Sequence, residues 1–273
     1  MYKSTSNQPG IRPILTIAGS DCSAGAGLQA DLKTFQHFHL HGLTAVTCIV
    51  SETANIVRRV DPVAPEMMED QICLMMETFP LEVVKTGMLG SAEHVNCVAD
   101  IFSKHRNTKL VIDPVMVAST GASLLEAEAV ASYRDRLLPL AYLITPNLPE
   151  AETLLGEKIE SLTAMKRAAE KLAGQYNCAV LLKGGHLNEE ECTDILFDEG
   201  NFHSFTSPRL KVKASHGTGC TLAAAVASAL ALGRTLPEAC SIAKTYLNAC
   251  LASSYSISGP NGETIYALNQ GVV

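Results

Sequence analysis

His216-Gly217-Thr218-Gly219-Cys220-Thr221 runs straight into the apolar, alanine-rich segment Leu222 to Leu232. Two glycines let the backbone turn tightly and approach a ligand closely. The run that follows reads as a buried helix, which places the loop at a helix N-terminus. Free N–H groups and the positive end of the helix dipole attract anions there. Cys220 falls in the first turn, where a thiol pKa can drop from about 8.5 into roughly the 3.5–7.5 range. An anion cradle beside a thiolate base suits transfer of a phosphoryl group to an alcohol. A glycine-rich loop that caps a helix for packing alone is an equally good reading of these six residues.

A buried helix needs a sheet to lie on, and the residues upstream supply one. Strand-like apolar runs occur at about 13–18, 43–50, 82–86, 109–113, 141–145 and 178–183. Helical patterns lie between them at about 26–38, 65–78, 91–104, 125–137 and 161–174. This alternation predicts a mainly parallel sheet with right-handed crossovers and helices on both faces. Segments 192–198 and 202–206, around Asp198-Glu199-Gly200, read as a hairpin at one sheet edge. Two helices, at about 218–232 and 237–253, close the pattern. No linker, repeat or low-complexity break divides it, so residues 1–273 read as one domain, with tails at 1–10 and 254–273.

Composition narrows the class. A formal net charge of −7 and no Lys/Arg run argue against a nucleic-acid-binding face. Nine cysteines without a C-x-x-C pair suit a reducing compartment better than a disulfide framework. The first twelve residues are polar, and no apolar run approaches the roughly 18 residues of a membrane span. A cytoplasmic protein without membrane partners is expected.

In open parallel sheets ligands bind beyond the carboxyl ends of the strands. Five clusters fall there. Ala18-Gly19-Ser20-Asp21-Cys22-Ser23-Ala24-Gly25-Ala26-Gly27 follows the first strand, with Asp31 about one turn into the next helix. Asp31 could accept from a ligand hydroxyl, although a solvated or structural role is commoner for a lone helical aspartate. Ser51-Glu52-Thr53 follows the second strand. Asp113-Pro114 ends the fourth, where a carboxylate could hold magnesium through water. Asn147 and Glu150 follow the fifth, in a spacing that also makes a capping box. Lys183-Gly184-Gly185-His186 ends the sixth. Carboxylates, a lysine and an anion cradle on one edge are the inventory of phosphoryl transfer, which is mostly positioning and charge stabilisation. The P-loop and protein-kinase motifs are absent. His37, His39 and His41 fall at a helix end in a spacing that does not hold three rings on one face.

Taken in order, LTIAGSDCSAGAGLQADLKTF, VVKTGMLGSAE, VIDPVMV, LITPNLPEAE, LLKGGH and HGTGCTLAAA are collinear with one family's motifs. Over about residues 13–253 the chain resembles the hydroxymethylpyrimidine/phosphomethylpyrimidine kinases of thiamine biosynthesis, in the ribokinase-like superfamily. The resemblance implies a three-layer α/β/α sandwich, commonly a homodimer. It implies ATP- and Mg2+-dependent phosphorylation of 4-amino-5-hydroxymethyl-2-methylpyrimidine and then of its monophosphate. It puts Cys220 in the role of base and the Gly217, Thr218, Gly219 and Cys220 amides around the transferring phosphoryl group. Lys183 would neutralise nucleotide phosphates, with His216 near them, while Asp113, Asn147 and Glu150 would organise magnesium and its waters. The pyrimidine would lie among Gly19, Ala26, Asp31, Val50, Glu52 and Met88.

Three positions depart from the family pattern. Glu52 stands where glutamine is usual, Ala24 where glycine is usual, and Ser119 where a loop lysine is usual. A glutamine amide both donates and accepts, whereas a carboxylate only accepts. Glu52 therefore needs a protonated ring nitrogen opposite it, or must itself be protonated. That leaves pyridoxal or pyridoxine phosphorylation as an alternative, and a catalytically silent pyrimidine-binding sensor as another of a different class.

Overall fold

The computed structural model describes residues 10–116, 127–185, 187 and 190–272. Val117, Ser119 and His186 lie outside the described residues. The centre is a sheet of nine strands in the order β3-β2-β1-β4-β5-β6-β7-β8-β9. Its parallel part comprises β1 (Pro13–Asp21), β2 (His41–Thr53), β4 (Val83–Thr86), β5 (Lys109–Ile112), β6 (Leu143–Ile144) and β7 (Ala179–Leu182). Antiparallel β3 (Ile56–Pro62) flanks β2, and the expected hairpin, β8 (Glu191–Asp198) and β9 (Asn201–Pro208), closes the other edge.

Period-2 alternation divides the strands between two layers of helices. Leu15, Ile17, Val84, Leu110, Ile112, Val180 and Leu182 face one core. It is covered by α2 (Pro65–Thr78), α3 (Ala92–Lys104), α4 (Ala127–Ser132), α5 (Leu148–Leu155) and α6 (Leu162–Tyr176). Ile14, Val83, Val111, Leu143 and Leu181 face the other core, under α1 (Gly27–His37), α7 (Thr218–Ala231) and α8 (Leu236–Ala252). The fold is the expected three-layer α/β/α sandwich. Alanine dominates α7 because this helix is enclosed, with every residue from Thr221 to Ala231 buried. Small side chains let it approach α1, α8 and the sheet together.

Three elements differ from the sequence reading. Strand β2 continues to Thr53 because β3 supplies antiparallel partners, so Glu52 lies within the strand, opposite Val57, and not after it. The segment expected as a C-terminal tail contains an antiparallel pair, β10 (Tyr255–Ser258) and β11 (Thr264–Ala267). Beyond it, Gln270 is buried: its side chain donates to Gly25 O and Thr221 Oγ1, and its carbonyl accepts from Tyr246. The helix expected over 125–137 widens after Ser132 into a π turn at Tyr133–Leu137.

Candidate active site

On the α1/α7/α8 side the strands change character as they approach their carboxyl ends. Ile14 gives way to Thr16, Val83 to Lys85, Val111 to Asp113, Leu143 to Thr145, and Leu181 to Lys183. These five polar residues form two buried groups. In one, Lys183 Nζ donates to Asp113 Oδ1 at 2.8 Å and Thr145 Oγ1 donates to the same oxygen at 3.2 Å. In the other, Lys85 Nζ and Thr16 Oγ1 donate to Asp31 Oδ2 at 2.7 and 2.6 Å. Burial works against the Lys183 charge, but Asp113 and Glu150 prevail and hold the ammonium more firmly than usual.

Glu150 is buried at the start of α5. Its Oε2 accepts from the Asn147 amide at 2.8 Å, while Asn147 Oδ1 accepts from the Glu150 amide at 2.9 Å. The capping box exists, and it orients a carboxylate toward the Lys183–Asp113 pair. Burial and Asp113 push the Glu150 carboxyl above its ordinary range, and Lys183 opposes them. Among the described residues Asp113 Oδ2 takes no hydrogen bond.

The N-terminus of α7 closes over this group. A Cβ built on Gly219 would lie 3.3 Å from Lys183 Nζ and 3.6 Å from Asp113 Oδ2, so the helix backbone abuts the cation and the carboxylate. The Thr218 amide is used in a turn to Ser215 O at 3.3 Å. The Gly219 and Cys220 amides donate to no carbonyl among the described residues and remain open toward a ligand. The expected four-amide cradle is therefore narrower.

Glycine is required where the two loops touch. Gly217 has φ +80°, and a Cβ there would fall 1.9 Å from Gly25 O. Gly27, at φ +56°, would meet Gly19 O at 2.3 Å. A Cβ on Gly19 would meet Cys48 Sγ at 2.7 Å and Met88 Cε at 3.1 Å, with Val50 at 3.8 Å. The sequence-predicted Gly19, Val50 and Met88 thus share one wall, and Ala26 lies at the adjoining N-cap of α1. Asp31 is different. It is fully buried beneath that wall, with Oδ2 committed to Thr16 and Lys85 and Oδ1 unpartnered.

Asp21 was not singled out in the sequence, yet it staples the loops. Its Oδ1 accepts from the amide and hydroxyl of Ser23, and its Oδ2 from the amides of Gly25 and Ala26 and from His216 Nε2 at 2.9 Å. Although burial opposes it, these donors lower the Asp21 carboxyl to about 2. His216 stays protonated to higher pH because of Asp21, against the effect of burial. Its partners are Asp21 and Glu52, not the Lys183–Asp113 group beside which the nucleotide was expected. Asp21, Glu52 and His216 offer ligand atoms within 4.8 Å of one another. Five donors already occupy the Asp21 oxygens, so they make a loop staple and not a metal site. The Glu52 side chain takes no hydrogen bond among the described residues. Burial and neighbouring Asp21 push its carboxyl upward, with His216 opposing.

Cys220 reverses one expectation. Its position in a first turn predicts a depressed thiol pKa, but burial pushes the thiol up to about 11. Lys85 and a hydrogen bond from the Gly27 amide pull it down, while Asp31 and Asp113 push it further up. Desolvation of the thiolate outweighs the helix terminus. His37 stacks on Tyr246 and His41 packs against Phe79, so these rings belong to the packing of the molecule.

The phosphomethylpyrimidine kinase family model matches residues 21–264. The chain is 41% identical to the hydroxymethylpyrimidine/phosphomethylpyrimidine kinase of Bacillus subtilis, over 93% of this chain and 94% of that protein. It is 43% identical to the thiamine biosynthesis bifunctional protein ThiED of Geobacter sulfurreducens, spanning 52% of that longer protein. Phosphomethylpyrimidine kinase from Clostridium difficile superimposes with a TM-score of 0.78 at 39% identity, over 87% of this chain and 98% of that one. Staphylococcus aureus pyridoxal kinase, in complex with AMP-PCP and pyridoxal, superimposes with a TM-score of 0.86 at 32% identity, over 96% and 94%. With the family model matched over residues 21–264 and a relative 41% identical over nearly the whole of both chains, the chain belongs to the phosphomethylpyrimidine kinase family.

Proposed function

We propose that the protein phosphorylates the hydroxymethyl group of 4-amino-5-hydroxymethyl-2-methylpyrimidine and then the resulting monophosphate, using ATP, in thiamine biosynthesis. The observation that carries this reading is the meeting at Gly219 of two open helix amides, the Lys183 ammonium and the Asp113 carboxylate. Amides and ammonium suit the phosphates of a nucleotide and the charge that develops as the terminal phosphoryl moves. Asp113, whose Oδ2 takes no hydrogen bond among the described residues, and Glu150 would hold Mg2+ or its waters, with Asn147 positioning Glu150. When bound, Mg2+ would neutralise charge on the transferring phosphoryl group.

In the first reaction the Cys220 thiolate takes the hydroxyl proton, the alcohol oxygen bonds to the terminal phosphorus, and the bond to the departing nucleoside diphosphate breaks. Since the thiol sits at about 11 in the ligand-free protein, only a small thiolate fraction serves as base near neutrality. In the second reaction the acceptor is already an anionic phosphate and needs no base.

The Glu52 carboxyl, which takes no hydrogen bond among the described residues and lies two residues after Val50 on β2, is the group that would read the heterocycle. Deprotonated, it pairs with a protonated ring nitrogen; protonated, it donates and accepts as a glutamine does. A pyridinium N–H would satisfy it too, which keeps pyridoxal phosphorylation as the second reading, although the pyridoxal kinase is 32% identical against 39% for the phosphomethylpyrimidine kinase. Exposed Ile49, Ile56, Val57 and Val60 on β2 and β3 support a homodimer. No helix among the described residues is long and apolar enough to cross a membrane, which is compatible with the cytoplasmic placement proposed here.

The test offers ATP and Mg2+ with hydroxymethylpyrimidine, its monophosphate and pyridoxal side by side, following product masses. Formation of pyrimidine mono- and diphosphate is the expected result. Phosphorylation of pyridoxal alone would move the activity to vitamin B6 salvage, and no turnover of any acceptor would leave a sensor.

A further inference from the structure

Beyond β11 the chain runs Leu268-Asn269-Gln270-Gly271, and Gln270 is a buried amide, which is costly without partners. Its backbone is held by α8. The Asn269 amide donates to Cys250 O at 3.3 Å, and the Tyr246 hydroxyl donates to Gln270 O at 2.7 Å. Tyr246 in turn packs on His37 at the end of α1, ring centres 4.4 Å apart. The path of the chain is thus fixed without the Gln270 side chain, which is free to serve something else.

That side chain joins the two glycine-bearing loops. An amide nitrogen carries two N–H groups, and Gln270 Nε2 has two acceptors, Gly25 O and Thr221 Oγ1, each at 3.4 Å. Gly25 lies in the loop between β1 and α1, and Thr221 directly follows the open Gly219 and Cys220 amides of α7. Gly25 O is also the atom that a Cβ on Gly217 would meet at 1.9 Å, and the Thr221 amide donates to Gly217 O at 2.9 Å. Gln270, Gly25, Gly217 and Thr221 therefore close a ring of contacts around the start of α7.

The two helices need such a ring. Neither α1 nor α7 has a side-chain hydrogen bond at its N-cap, Ala26 or Gly217, so contacts between the loops set where each helix begins. Gly25 is gripped at both ends of its backbone: its amide donates to Asp21 Oδ2 at 3.0 Å, and its carbonyl accepts from Gln270. The Asp21–His216 clamp is charged, whereas the Gln270 clamp is neutral and buried. An apolar side chain would pack in the same space, so the amide is required by what it joins.

We infer that Gln270 is a positioning residue for phosphoryl transfer: its amide ties the β1–α1 loop to the first turn of α7 and so fixes the Gly219 and Cys220 amides relative to the acceptor wall. Gln270 touches no substrate and acts through Gly25 and Thr221. This inference rests on the phosphate-binding role proposed above for the start of α7.

The test compares wild type, Gln270→Met, Thr221→Val, Thr221→Ser and the double variant Gln270→Met/Thr221→Val. Each is given ATP, Mg2+ and whichever acceptor wild type phosphorylates, with rates taken per folded molecule. Gln270→Met is expected to lower kcat by about ten- to hundredfold, as misplacement of reacting groups does. KM for the acceptor should change little, the pattern of an interaction that counts in the transition state. With the pyrimidine alcohol and its monophosphate both steps should fall alike, because the amides serve both transfers. Thr221→Val, which removes one of the two acceptors, should lose less than Gln270→Met, and Thr221→Ser, which keeps the oxygen, less again. Adding Thr221→Val to Gln270→Met should cost nothing more. Hydrogen exchange at the Thr221 amide should quicken about fivefold in Gln270→Met. A folded Gln270→Met with the wild-type kcat overturns the inference, as does a double variant whose losses simply multiply. Should Gln270→Met fail to fold, the contrast at Thr221 decides, and equal rates for its two variants overturn the inference. A wild type that phosphorylates no acceptor contradicts the proposed function itself, and so is told apart from failure of the clamp.

Discussion

The two faces of the central sheet use the same strands and do opposite things. Toward α2 to α6, Leu15, Ile17, Val84, Leu110, Ile112, Val180 and Leu182 keep a continuous apolar surface nearly to the strand ends. Toward α1, α7 and α8, alternate residues of those strands turn polar at Thr16, Lys85, Asp113, Thr145 and Lys183. Since neighbouring residues on a strand face opposite ways, one backbone carries a packing surface and a charged seam without mixing them. The proposed chemistry falls where the polar ends meet the N-termini of α1 and α7, so on this reading the face that stabilises the fold and the face that acts can be perturbed separately.

The sharpest way to break this contrast is a matched pair of variants. Leu110→Ala, on the apolar face, should cost about 2–5 kcal/mol of stability, with the rate per folded molecule kept. Lys183→Met, on the polar face, should lower both phosphorylations by about 10²–10³-fold. Denaturant unfolding and single-turnover rates on both proteins check this. Equal losses of rate from the two would mean that the faces are not independent.

A smaller effect belongs to the loop staple. The Asp21 carboxyl is held at about 2 in the folded protein, below its ordinary value of 3.8. Its contribution is therefore present in full above about pH 4 and lost as pH falls toward 2, amounting to about 2 kcal/mol. The acid limb of a stability–pH curve should flatten in Asp21→Asn. His216 runs the opposite way: its pKa is raised, so its share is present below about pH 6.5 and fades as pH rises through the folded value.

The smallest effect comes from Ala24, which adopts φ +60°, a left-handed conformation that favours glycine. Ala24→Gly should raise stability by about 1 kcal/mol, read as a higher melting temperature. A loss would show that the Ala24 methyl makes a contact worth more than the backbone strain.

The parallel core was legible because β-α alternation with buried apolar strands has few other solutions. The β3 strand was not, because all seven of its residues are exposed and two arginines and an aspartate interrupt any alternation. In the candidate site, Gly19, Val50, Met88, Asp113, Asn147, Glu150 and Lys183 were legible as residues at or just beyond strand ends, and Gly219 as the start of a buried helix. Asp21 was missed because its partner His216 lies 195 residues away and its other donors are loop amides. Lys85 carried a signal that went unread, since a lysine inside a short apolar strand must have a buried partner. The protonation of Cys220 was misjudged because a position in a helical turn is visible in sequence, while its desolvation depends on how α1, α7 and β4 close around it.

The central claim is that one sulfur serves one of two phosphoryl transfers. It is tested most directly by single-turnover phosphorylation of the pyrimidine alcohol and of its monophosphate, in wild type and Cys220→Ala. Loss of a general base costs typically about 10²–10⁴-fold, so the alcohol step should fall by that order and the monophosphate step far less. Equal losses in both steps would contradict the account and reduce Cys220 to a structural part of the loop.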